Sequence, residues 1–169
     1  MTDDGQPDWN RIVDQYGKRV FRIALRILGS VHDAEDVSQE VFAEAYRLQA
    51  ANPVQSWTGF LVRLATMRSI DRLRRTRPAK ELRDQDHVSH VEPFEELVAT
   101  ELAQWLRGAI ARLPDHQVAI FVMVHFEQLS RDQVAVNLGI SPEAVSTALY
   151  KARQRLLSQL SVFNAGDSR

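Results

Sequence analysis

The 169 residues are 44% hydrophobic and 25% charged, the balance of a folded chain of one ordinary domain or two small ones rather than of a disordered segment. No window approaches the roughly 18 apolar residues of a membrane span, the start MTDDGQPDWN lacks the basic and apolar stretches of a secretion signal, and there is no cysteine. A cytoplasmic protein without disulfides, thiolate metal sites or cysteine redox chemistry is therefore expected.

Apolar residues recur at helical spacing nearly throughout, and no run alternates as a half-buried strand does, so an all-α fold is predicted. A first helix over about 8–28 places Trp9, Ile12, Val13, Tyr16, Val20, Ile23, Ala24 and Ile27 on one stripe, with Gly29 as its C-cap. The next begins near Asp33, turns Val37, Val41, Ala45 and Leu48 inward, and stops before Asn52-Pro53. Over 30–48 five acids stand against the single Arg47, and Asp36, Gln39, Glu40 and Ala43 recur at i, i+3, i+4 and i+7, one face of a helix.

A third helix over about 56–76 buries Phe60, Leu61, Leu64, Met67 and Leu73, with Pro78 just beyond it. Over 56–83 eight Lys and Arg stand against Asp71 and Glu81. Arg68, Arg72 and Arg75 form a row, Arg63 and Arg74 flank it, and Trp57 and Phe60 lie alongside. Guanidiniums beside aromatic rings combine phosphate attraction with stacking surface, as single-strand binding demands. Both rings also suit ordinary core packing.

Residues 78–93 are polar, acidic and bracketed by prolines, the natural boundary between two small helical domains, 1–77 and 94–160, with a tail over 161–169. From 84 to 106 there are six acids and no Lys or Arg, and the linker is expected to be flexible. Alternating acidic and basic blocks suit a protein that docks on a basic partner with one face and on nucleic acid with another.

The second domain holds a helix over about 94–112, one opening at Pro114, and two short helices joined at Leu138-Gly139-Ile140-Ser141-Pro142. Ser130 and Gln133 have capping-box spacing, and Ser141 with Pro142 makes an N-cap and first-turn proline. Gly139 permits the positive φ of a steep corner, Ala135 lets the helices approach, and Val145 and Leu149 plug the gap between them. An αα-corner of a bundle shares this spacing, but the full set of features favours a helix-turn-helix whose second helix, about 142–159, reads the major groove.

DAEDVSQEVFAEAYR (33–47) resembles the core-polymerase-binding helix of the extracytoplasmic-function sigma factors. LVRLATMRSIDRLRR (61–75) is similar to that family's melting and minus-ten segment. The stretch 113–156 is similar to its minus-35-binding domain, so the resemblance covers roughly residues 10–160. It implies a subunit that binds core RNA polymerase and directs transcription initiation, with Asp36, Gln39, Glu40 and Ala43 on the polymerase. It further implies Trp57, Arg63, Met67, Arg68, Arg72 and Arg75 on the minus-ten strand, and Glu143, Ser146, Thr147, Tyr150, Lys151 and Arg153 on the minus-35 duplex. An anti-sigma partner is implied as the regulator, with no metal or other cofactor.

The sequence departs from the family at Met67, usually Asn, and at Phe60, often Trp. It departs again at Ser146 and Ala148, often basic, and at Ala144, usually Thr. Weaker duplex binding or a shifted minus-35 preference is the expected result. A dimeric one-component helix-turn-helix regulator explains the second half but leaves the acidic helix and the arginine row unassigned. An enzyme is not expected: there is no phosphate loop, nucleophile elbow or HExxH, and His87 and His90 sit in an acidic linker without a third ligand.

Overall fold

The computed structural model describes residues 7–51, 53–81 and 94–166, with side-chain surroundings over 7–51, 53–76 and 101–161. Among them are seven helices and no strand: α1 Trp9–Leu28, α2 Val31–Gln49, α3 Trp57–Glu81, α4 Phe94–Ala111, α5 Asp115–His125, α6 Arg131–Leu138 and α7 Pro142–Gly166. The all-α expectation holds, in two helical domains: α1, α2 and α3 pack on one another, as do α5, α6 and α7.

Local chemistry sets most helix ends. Asp8 caps α1 by accepting from the Arg11 amide at 3.1 Å, and Ser30 caps α2 by accepting from Asp33 at 3.3 Å. Gly29 closes α1 in the left-handed region, its amide donating to the Leu25 carbonyl. Each of the two N-caps is worth about 1 kcal/mol. Three boundaries differ from the sequence reading. Pro114 precedes the first turn of α5 instead of occupying it. The third helix runs through Pro78 to Glu81, so helix enters the segment read as linker, and α7 continues to Gly166, into the segment read as tail. The remainder of that linker, residues 82–93, lies outside the described residues.

The first domain buries Ile12, Val20, Ile23 and Ile27 of α1 against Val37, Val41 and Ala45 of α2 and Leu61, Val62, Ala65 and Ile70 of α3. Val13 and Leu48, expected inward, are exposed: each lies at the edge of its stripe, beyond the reach of a neighbouring helix. In the second domain Val118, Val122 and Met123 of α5 meet Val134 and Ala135 of α6 and Val145, Leu149 and Ala152 of α7.

Both sets belong to one buried cluster, because α3 packs against α5 and α6. Polar contacts tie this seam. Arg19 pairs with Glu127 at 2.5 Å, the carboxylate side chain being only 4% exposed. Arg26 donates to the Phe126 carbonyl at 2.7 Å and lies over its ring. Arg74 donates to the Ala111 and Leu113 carbonyls at 2.9 and 3.0 Å and to Asp115 at 2.9 Å, so one guanidinium fastens the corner between α4 and α5. At the other end of α3 the Ser56 hydroxyl donates to Asn137 Oδ1 at 2.8 Å. Gly59 allows that approach, since a Cβ there would meet the Asn137 side chain at 2.6 Å.

Candidate protein-docking and nucleic-acid surfaces

Burial of Ala34, Val37, Val41 and Ala45 rotates α2 so that Gln39, Glu40 and Ala43 are exposed and Asp36 is half-exposed. The four therefore share one accessible face. Across from it, Arg72 of α3 donates to Glu40 at 2.7 Å and to Asp33 at 3.4 Å, and lies 3.8 Å from Asp36. Arg68 makes a two-pronged hydrogen bond to Glu44 and lies 3.5 Å from Asp71. The Arg68 hydrogen bond holds the Glu44 carboxyl below its ordinary pKa, against a smaller opposing effect of burial.

Arg72, which the sequence assigns to the minus-ten strand, is thus paired with Glu40 and Asp36, which it assigns to polymerase, because α2 and α3 pack side by side. The seam forms a cleft of about 350 Å³ that Arg47 and Arg75 also line. Arg47 was not singled out from the sequence. It is the lone cation of an acidic helix, and only the position of α3 makes it part of a basic rim.

Of the other proposed minus-ten residues, Arg63 and Arg75 are exposed, while Trp57 and Met67 are half-buried against the core. Trp57 meets Trp9 edge-on at 5.4 Å and Phe60 at 6.0 Å, and Trp9 meets Tyr46 at 5.2 Å. Three elements thus build one aromatic corner, each edge-on pair contributing about 0.5–1.5 kcal/mol beyond its buried area. Tyr46 leaves much of its ring in solvent. Neither Trp9 nor Tyr46 carries a sequence signal toward nucleic acid. Arg74, read as a flank of the arginine row, faces the second domain instead.

The helix-turn-helix corner is built as its residues suggest. Ser130 and Gln133 close a reciprocal capping box, at 3.2 Å from the Gln133 amide and 2.8 Å from the Ser130 amide. Gly139 turns the chain at φ 64°, where a side chain is strained. Ser141 caps α7 by accepting from the Ala144 amide at 3.1 Å. Val145 and Leu149 are buried between the helices.

Glu143, Thr147, Tyr150, Lys151 and Arg153 are consequently exposed, Tyr150 by 64%. Ser146 is half-buried and its hydroxyl donates to the Pro142 carbonyl at 3.0 Å. Ala148 is 7% exposed, so the alanine there removes no cation from the outward face: the position lies on the packing side of α7. Among the described residues no group of three or more His, Asp or Glu is placed to hold a metal, and no helix is long and apolar enough to cross a membrane. His87 and His90 lie outside the described residues.

The family model for sigma-70 region 2 matches residues 12–78, and that for sigma-70 region 4 matches residues 103–156. The chain is 29% identical over 162 residues to the ECF RNA polymerase sigma factor SigW of Bacillus subtilis, covering 88% of this chain and 87% of that protein. It is 31% identical over 159 residues to the ECF sigma factor SigE of Mycolicibacterium smegmatis, covering 91% of this chain and 62% of that one. Among solved structures it resembles CnrH in complex with the cytosolic domain of CnrY, with TM-score 0.58, 19% identity and coverage of 91% and 88%. It also resembles RpoE in complex with the anti-sigma factor NepR from Bartonella quintana, with TM-score 0.52, 17% identity and coverage of 92% and 98%.

Proposed function

The chain belongs to the extracytoplasmic-function sigma factors of the sigma-70 family, which bind core RNA polymerase and direct promoter recognition and transcription initiation, and from that premise we propose how its surfaces divide the work. The exposed face of α2, with Asp36, Gln39, Glu40 and Ala43, docks on an arginine-bearing surface of core polymerase. On α3, Arg63, Arg68, Arg72 and Arg75 hold phosphates of the opened minus-ten strand beside Trp57, with Met67 beneath them. Glu143, Ser146, Thr147, Tyr150, Lys151 and Arg153 of α7 meet the minus-35 duplex. The protein is not an enzyme; catalysis belongs to the polymerase.

The observation that carries this division is the rotation of two helices by their own buried stripes. Each stripe turns the residues of one motif outward on its own domain. We further assign residues 1–77 to polymerase and minus-ten binding, 78–93 to the linker and 94–160 to minus-35 binding. The working place is the cytoplasm, where polymerase and promoters are. The two similar solved structures are complexes with a partner protein, NepR being an anti-sigma factor, and control of this chain by a separate anti-sigma protein accords with them.

The seam between the domains engages Ser56 and Arg74, the chain neighbours of the proposed minus-ten residues Trp57 and Arg75. On polymerase the domains therefore separate to present both promoter surfaces. Run-off transcription by core polymerase with this protein, over a genomic promoter library, tests the whole reading. Initiation at a defined set of promoters only in its presence is expected, and no difference with and without it would reject the reading. For the separation, dye labels at Arg63 and Gln154 should move apart on binding core; an unchanged distance would reject it.

A further inference from the structure

The outward side of α1 carries a row of cations that no contact among the described residues engages. From Trp9 to Leu28 the helix holds Arg11, Lys18, Arg19, Arg22 and Arg26 against the single acid Asp14. Two of these face the second domain, Arg19 on Glu127 and Arg26 on the Phe126 carbonyl. The buried residues Ile12, Val20, Ile23, Ala24 and Ile27 fix the rotation of the helix, so Arg11, Gln15, Lys18 and Arg22 fall at i, i+4, i+7 and i+11 on the opposite side. All four are exposed. Although Asp14 stands beside the stripe, Arg11, Lys18 and Arg22 form no ion pair among the described residues.

Unpaired surface cations are ordinarily just solvated, and the position of this row sets it apart. Arg11 follows Trp9 by two residues, and Trp9 meets Tyr46 at 5.2 Å and Trp57 at 5.4 Å. The row therefore begins at the aromatic corner that flanks the proposed minus-ten site. From Arg11 to Arg22 it runs roughly 16 Å along the helix axis, with the amide of Gln15 and no acid inside it. A straight line of separate cations suits an extended polyanion whose charges recur along its length, and a nucleic-acid strand is one.

We propose that Arg11, Lys18 and Arg22 hold phosphates of the opened promoter strand where it continues past the aromatic corner, which makes the outward side of α1 a sequence-independent nucleic-acid surface. This rests on the reading of α3 and Trp57 as the minus-ten site and adds to it the path of the strand beyond that site. The competing partner for the same charges is an acidic protein surface of polymerase, which would bind them before any DNA arrives.

The test uses holoenzyme assembled from core polymerase and the full chain carrying R11Q, K18Q and R22Q together, glutamine keeping both length and helix propensity. Open-complex formation is measured over a range of salt at promoters that differ in their minus-ten sequence. Each phosphate contact on a single strand contributes about 0.7 to the slope of log affinity against log salt, so losing three should flatten that slope by about 2. At low salt the open complex should weaken about tenfold or more, equally at every promoter. Affinity for core and melting temperature should stay close to those of wild type. Weakened core binding with an unchanged salt slope would assign the row to an acidic protein surface and overturn the proposal. An unchanged slope with unchanged core binding, or a loss confined to particular sequences, would overturn it as well. If R68A with R72A leaves open-complex formation untouched, the reading of α3 beneath it is rejected instead.

Discussion

In the first domain Arg68 and Arg72 already hold Glu44, Asp33 and Glu40, whereas in the second Thr147, Tyr150, Lys151 and Arg153 stand exposed on the outer side of α7. A guanidinium that is paired in the free protein contributes to DNA affinity only the difference between its two partners. Removing it therefore takes away a stabilising pair and a phosphate contact together. Removing an exposed side chain of α7 takes away the DNA contact alone. The first domain should answer substitution in both stability and DNA binding, and the second in sequence preference with its stability nearly unchanged.

The largest effect is expected where both roles meet. The double variant D36K, E40K should weaken co-purification with core polymerase by a factor of about 100 or more, the scale of losing desolvated charge pairs at an interface. It also sets two cations against Arg72, so its melting temperature should fall while the helical circular-dichroism signal at low temperature is kept. Undiminished core binding would break the assignment of that face.

Next in size is the packing that aims the reader. Leu149→Ala empties a fully buried site between the helices of the second domain and should cost about 2–5 kcal/mol in denaturant unfolding. Leu48→Ala, at a position the structure leaves exposed, should cost no more than about 0.5 kcal/mol. A reversed order would contradict the burial pattern on which both surfaces depend.

A direct contrast between the domains comes third. R68A with R72A should weaken open-complex formation about tenfold at every promoter, flatten its salt dependence and lower the melting temperature. S146A with T147A should shift minus-35 preference a few-fold and leave melting almost unmoved. Transcription from promoters varied at each element, at two salt concentrations, measures both. An exchange of the two outcomes would overturn the division of labour.

The smallest effect lies in the acid limb of stability. The Glu44 carboxyl has a folded-state pKa below its ordinary value of 4.5, chiefly through the Arg68 hydrogen bond. Its contribution is therefore fully present above about pH 4.5 and is lost as pH falls through the lower folded value. The melting-temperature advantage of wild type over E44Q should shrink as pH is lowered from 5 toward 3. An advantage that does not vary over that window would mean the pair is not formed in solution.

Much of what depends on residues a few positions apart was readable from the sequence alone, the ends of α3 and α5 at their prolines excepted. The Ser130–Gln133 box, the turn at Gly139, the caps at Gly29 and Ser141, the acidic face of α2 and the inward pair Val145 and Leu149 all follow from spacings of about one helical turn, where side chain and backbone meet whatever the rest of the chain does. The pairings across helices came only with the tertiary structure. Arg68 reaches Glu44 across 24 residues, and Arg72 reaches Glu40 across 32, so a charge assigned by sequence to DNA pairs with one assigned to polymerase. Arg74 turns to the corner after α4, Trp9 and Tyr46 join Trp57, and Asn137 meets Gly59 through contacts of the same kind. Helical periodicity gives each helix an inward face but not the neighbour that face will meet. That choice depends on the shape of the whole buried cluster, and it decided which charges are left for a partner.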